Sequence, residues 1–283
     1  MSRTAAALSK RRARLDALLA RLSGPPSGET LHDLRVALRR IAALARLTGD
    51  APRKGSGRAL RIAARDLRRA LSTRRTTDVA RMLLLSRFRS DPRRRPVAER
   101  LAARLAKEGD SGPSPARMRD LLSRLRRAFT RREASLARLH DPLTGTADGD
   151  NEKGLAKNVR RRLRRAAKLL RAAGVPGPAG LHPARILARD LRYGLEFTGT
   201  AMAAAALVPL LMDFQDTAGA AHDLSELIVL VRRLAGRSRA VDRRAALRLL
   251  PPILAAEERA LARAQASSKR LLARLEDMEF EWP

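Results

Sequence analysis

The chain contains no cysteine and only one Trp, one Tyr and five Phe among its 283 residues. Without cysteine there is no disulfide, no thiol nucleophile and no zinc–thiolate centre. Aromatics at 2% argue against a β-rich fold, because strands favour aromatic and β-branched side chains. No run of 18 or more apolar residues is present, so no membrane span is expected. The N-terminal stretch MSRTAAALSKRRARL reaches charge before any apolar segment long enough for a secretory signal, which points to a cytoplasmic protein. Acids are also scarce: 29 Asp and Glu stand against 60 Lys and Arg, a net charge of +31.

Apolar residues, mostly Ala and Leu, make up 45% of the chain. That is enough to offset ordering entropy, so a folded, all-α protein is expected rather than a disordered one. Its length is about twice the ~150-residue domain size, which suggests two domains or one doubled unit. A balance of +31 opposes compaction unless a partner or counterions neutralise it. The partner is therefore expected to be a polyanion: nucleic acid, an anionic surface or a chain of phosphates. Only 7 of the 60 bases are Lys, and the remaining Arg side chains offer the planar fork suited to phosphate oxygens.

The sequence matches itself at an offset of 150 residues. Arg11, Arg12 and Arg14 fall on Arg161, Arg162 and Arg164, and Gly24 and Pro26 fall on Gly174 and Pro176. Leu31, His32, Arg35 and Arg39 then meet Leu181, His182, Arg185 and Arg189. At an offset of 147, Leu71-Ser72-x-x-Arg75 lies beside Ala218-Gly219-x-x-His222. This reads as a duplicated helical unit. The first half, 1–140, is expected to hold helices near 4–22, 31–48, 55–71, 76–89, 96–107 and 115–139. The second, 153–283, is expected to hold them near 153–173, 182–198, 201–217, 222–235, 240–249 and 252–278. Gly219 is read as a break, Thr30 with Asp33 as a capping box, and Pro183 as a first-turn proline. The segment 141–152 is read as a linker. Its Asp148, Asp150 and Glu152 hint at calcium but lack the loop glycine and the closing Glu.

Helical spacing gathers cations into stripes. His32, Arg35, Arg39 and Arg46 share one face, and His182, Arg185, Arg189 and Arg192 repeat it. Arg65 and Arg68 continue the pattern in the next helix. Lys10 and Arg14 in the first half, and Lys157, Arg160 and Arg164 in the second, add further stripes. Solvated faces normally mix signs in i,i+4 pairs, whereas these stripes carry almost no acids.

The stretch Leu31-His32-Asp33-Leu34-Arg35-Val36-x-x-Arg39-Arg40 and its counterpart Leu181-His182-x-x-Arg185-Ile186-x-x-Arg189-x-Leu191-Arg192-Tyr193 resemble the paired signatures of the CHAD family, the conserved histidine α-helical domain. So does Phe214-Gln215-Asp216-x-x-Gly219-x-x-His222-Asp223-Leu224. The resemblance implies an all-α domain of two pseudo-symmetric helical-bundle halves around a basic groove. It further implies binding of inorganic polyphosphate and association with polyphosphate granules. The residues it assigns to that groove are His32, Arg35, Arg39, Arg40, His182, Arg185, Arg189, Arg192 and Tyr193, with Arg75 and His222 at nearby helix starts. Ala42, Ser72 and Thr76 depart from the pattern where the second half has Arg192, Gly219 and Asp223.

No metal and no cofactor are expected, since the acids form no constellation able to hold an ion and no phosphate-cradling glycine loop occurs. The strand motif of triphosphate tunnel enzymes, Glu-x-Glu-x-Lys, is also missing, so a binding module is favoured over a phosphate-metabolising enzyme. Non-specific nucleic-acid binding is the main alternative, though few aromatic platforms are available for stacking bases.

Overall fold

In a computed structural model, residues 3–21, 28–47, 55–109, 113–138, 161–172, 178–198 and 201–279 are described. Among them every regular element is an α-helix. The helices are α1 (Arg3–Ala20), α2 (Gly28–Leu47), α3 (Ser56–Ala70), α4 (Ser72–Phe88), α5 (Arg95–Gly109) and α6 (Pro115–Arg138). They are followed by α7 (161–172), α8 (Pro178–Thr198), α9 (Ala201–Gly236), α10 (Ala240–Leu247) and α11 (Leu250–Glu279). At the 150-residue offset, the start of α2 at Gly28 falls on the start of α8 at Pro178.

Packing divides the chain into two units, and each draws on segments from both sides of 141–152. The first comprises 1–72, 113–165 and 190–208; the second comprises 73–112, 166–189 and 209–283. In the first unit α1, α2, α3 and α6 pack in a closed ring of neighbours. Their apolar positions interleave as Leu8, Leu15 and Leu18 with Leu34, Leu38 and Ile41, Leu60 and Leu67, and Leu125 and Phe129, all buried. Arg132 of α6 is also buried, with its guanidinium donating to Ser56 Oγ at 3.3 Å. The core of the second unit joins Leu84 and Phe88 of α4, Leu101 and Leu105 of α5, Leu227 and Val231 of α9, and Ile253 and Ala260 of α11.

Several helix signals act differently from the sequence expectation. Gly219 does not break the chain: α9 runs unbroken from Ala201 to Gly236. A mid-helix glycine costs about 1 kcal/mol relative to alanine, and burial of Phe214, Ala218, Ala221 and Leu224 around it offsets that loss. His222 consequently lies in mid-helix, not at a helix start. Thr30 is not an N-cap, because α2 begins at Gly28 and places buried Thr30 inside its first turn beside Glu29, whose charge suits the helix N-terminus. Pro183 lies inside α8, where its ring removes one backbone donor; Pro178 takes the first-turn position. Pro251 and Pro252 likewise fit the first turn of α11, which starts at Leu250. Among the described residues no helix is long and apolar enough to cross a membrane. The calcium-like segment 148–152 lies outside the described residues.

Candidate functional site

In the first unit, α2 meets the second half of α8. Arg46 donates from Nη1 to Asp190 at 2.7 Å, and Asp190 is only 3% exposed. Arg46 Nε also caps Ala42 O at 3.2 Å, and Arg162 of α7 donates to Arg46 O at 3.3 Å. A few residues along, Tyr193 is buried, with the guanidinium carbons of Arg40 and Arg192 at 5.5 and 4.9 Å from its ring centre. Such stacking fixes the planes of both cations without consuming their donors. Glu196 approaches them loosely, at 3.6 Å from Arg40 Nη2 and 3.5 Å from Arg192 Nε.

Burial and neighbouring charges both act on Arg11 and Arg162. Burial pulls the Arg11 guanidinium below its ordinary value, the charge of Arg40 adds to that, and Glu196 partly opposes both. Burial likewise lowers Arg162, opposed by Asp190 and reinforced by Arg46, Arg161 and Arg165. Both groups stay protonated, since a guanidinium does not lose its proton in proteins. Buried Nε–H groups of Arg11, Arg40, Arg162 and Arg192 find no acceptor among the described residues.

Arg35 is different. It is 8% exposed, and its Nη1 donates to Arg68 O at 3.3 Å, Leu71 O at 3.1 Å and Ser72 Oγ at 3.0 Å. Both carbonyls lie at the C-terminal end of α3, where Ser72 Oγ also donates to Arg68 O at 2.9 Å, so Arg35 serves as a cationic cap for that helix end.

The second unit has its own cluster. The rings of His182 on α8 and His222 on α9 lie 5.3 Å apart and tilted by 47°. Burial lowers His182, and Arg185, His222 and Arg189 lower it further against the pull of Glu226. Burial and Arg185 also lower His222, opposed by Glu226 and Asp223. Arg185 is itself lowered by burial, with Asp223 opposing and Arg189 adding to the shift. Gly219 faces this guanidinium: a Cβ added there would stand 3.7 Å from Arg185 Nη1.

Of the residues expected at the site, the structure thus gathers Arg40, Arg46, Arg192 and Tyr193 in one cluster and His182, Arg185, Arg189 and His222 in another. Arg39 and Arg68 are half-buried, and His32 is exposed. Lys10, Arg14, Arg65 and Arg164 are exposed, with Arg14 paired to Asp33 and Arg65 to Asp66. Lys157, Arg160 and the side chain of Arg75 lie outside the described residues. Arg11 and Arg162, which the sequence reading did not place in the groove, stand beside the first cluster. Their signal was present in the self-match at 150 residues, but the stripe through Lys10, Arg14 and Arg164 selected the solvent side of the same helices. Among the described residues no group of three or more His, Asp or Glu side chains could hold a metal.

The all-helical fold has a counterpart among solved structures. The crystal structure of the CHAD domain from the plant Ricinus communis is similar, with a TM-score of 0.58 and 21% identity over 92% of this chain and 90% of that one. The family model described as the CHAD domain matches residues 6–232. The chain belongs to the CHAD family. No curated protein matches it.

Proposed function

We propose that this CHAD protein is a binding module for a long inorganic polyanion, polyphosphate, and no enzyme. The observation that carries the reading is the packing of Arg40 and Arg192 over buried Tyr193, with Arg11 close enough to feel the charge of Arg40 and with buried Nε–H donors of all three lacking an acceptor among the described residues. A phosphate chain supplies dense oxygens and no bases, which suits forked donors in a protein poor in stacking platforms. The second unit supports it with Arg185 and Arg189 beside the ring pair of His182 and His222. The +31 charge supplies long-range attraction and a strong salt dependence. Association with polyphosphate granules follows from such binding.

Competition at fixed ionic strength tests the reading against general attraction to nucleic acid. Long-chain polyphosphate is expected to displace labelled duplex DNA at equal phosphate concentration. Retention of the DNA would favour a nucleic-acid-binding protein instead. Release of phosphate from polyphosphate by the purified protein would overturn the non-enzymatic part.

A further inference from the structure

Asp190 and Glu196 on α8 both face cations of α2, and they are held in different ways. Asp190 is 3% exposed and sits 2.7 Å from Arg46, a short charge-assisted contact with the geometry of a permanent strut. Glu196 is 29% exposed and stands 3.5 and 3.6 Å from its two partners, at or beyond the range of a well-formed hydrogen bond. Arg11 also feels its charge. One loosely held carboxylate thus faces three guanidiniums, leaving a positive excess and unused donors. Stacking on Tyr193 keeps Arg40 and Arg192 in place whether or not the carboxylate is there.

We infer that Glu196 is a displaceable internal occupant of an anion subsite formed by Arg11, Arg40 and Arg192, and that a phosphate of the ligand takes its place on binding. This rests on the polyanion reading given above. A phosphate carries more charge and more acceptor oxygens than the carboxylate, so it can meet several guanidinium donors at once. Weak or singly charged anions gain little by the exchange. Glu196 therefore selects for dense polyanions and lowers affinity for everything else.

The test is calorimetric titration of the whole protein with tripolyphosphate. Glu196→Gln removes the competing charge and is expected to bind roughly fivefold more tightly, the equivalent of one partly exposed ion pair. Glu258→Gln, an exposed charge-matched control on α11, is expected to change affinity by less than about twofold, because exposed charges are screened beyond a Debye length. Glu196→Asp keeps the charge but draws it back from Arg40 and Arg192, so it should fall between wild type and Glu196→Gln; it carries the test if Glu196→Gln does not fold. Without ligand, Glu196→Gln should melt below wild type, and tripolyphosphate should raise its melting temperature by a larger increment. Failure of the wild-type protein to bind any polyphosphate would remove the polyanion reading itself. Wild-type binding with equal or weaker binding by the Glu196 variants, or equal tightening by Glu258→Gln, would overturn the displacement alone.

Discussion

Arg46 on α2 holds Asp190 on α8 at 2.7 Å, across 144 residues of sequence. The pair fastens the first matched helix to the second where Asp190 is almost fully buried, and Arg162 ties into the same place through Arg46 O. Asp190→Asn leaves a partly buried guanidinium short of its counter-charge. Removing one partner of a buried pair costs about 3 kcal/mol, the low end applying because Arg46 is 26% exposed. Denaturant unfolding should show that loss as a lower midpoint with an unchanged slope.

Arg35 looked like a ligand residue in the sequence and is tied into the scaffold in the structure. Arg35→Ala removes a cation from the carbonyls of Arg68 and Leu71, and is expected to destabilise the protein by about 2 kcal/mol, the scale of a hydrogen bond to a charged group. Its helical circular dichroism should melt several degrees lower. Any loss of binding in that variant has to be read beside its lower stability, which makes Arg40 and Arg185 cleaner probes of the ligand.

The histidine pair predicts a pH dependence with a definite sign. Native-state values of His182 and His222 lie below the ordinary 6.5, so near neutrality both are uncharged. As pH falls through about 6.5 the unfolded chain takes up protons before the native one, and stability declines toward acid. A bound polyanion raises both histidines against the opposing Arg185 and Arg189, so binding takes up protons. Affinity should therefore rise as pH drops from about 7.5 to about 5.5, more than in a His182→Ala/His222→Ala variant. Equal pH profiles for the two proteins would exclude the pair from the site.

Gly219 gives a steric prediction. Alanine there meets Arg185 Nη1 at ordinary contact distance, 3.7 Å, and gains up to about 1 kcal/mol of helix propensity. Gly219→Ala should melt slightly higher and bind as well as wild type. Gly219→Leu fills the space beside the guanidinium, and its polyphosphate affinity should fall while the helix content is kept.

What could be read from the sequence was what periodicity and composition encode. Leu and Ala spacing defined an all-α chain, and the matched segments His32–Arg40 and His182–Tyr193 pointed to α2 and α8, which carry most of the clustered residues. Local signals failed where tertiary packing overrode them. Gly219 stays helical because its neighbours are buried, and α8 starts upstream of Pro183, at Pro178, so that proline falls inside the helix. Among cations, a helical stripe cannot distinguish Arg14, which meets Asp33 at the surface, from Arg11, which is half-buried beside Arg40. Only contacts between distant helices separate the strut at Arg35 from the donors at Arg40 and Arg192.

The most direct test of the central claim is the salt dependence of polyphosphate binding by the wild-type protein and by Arg40→Gln/Arg185→Gln, one cation taken from each cluster. Withdrawing a guanidinium from the phosphate chain should flatten the plot of log K against log salt by about one unit, so the double variant should show a slope shallower by about two units and bind far more weakly at low salt, with unchanged helical circular dichroism. An unaltered slope and affinity in a folded double variant would contradict the assignment of either cluster to the polyanion.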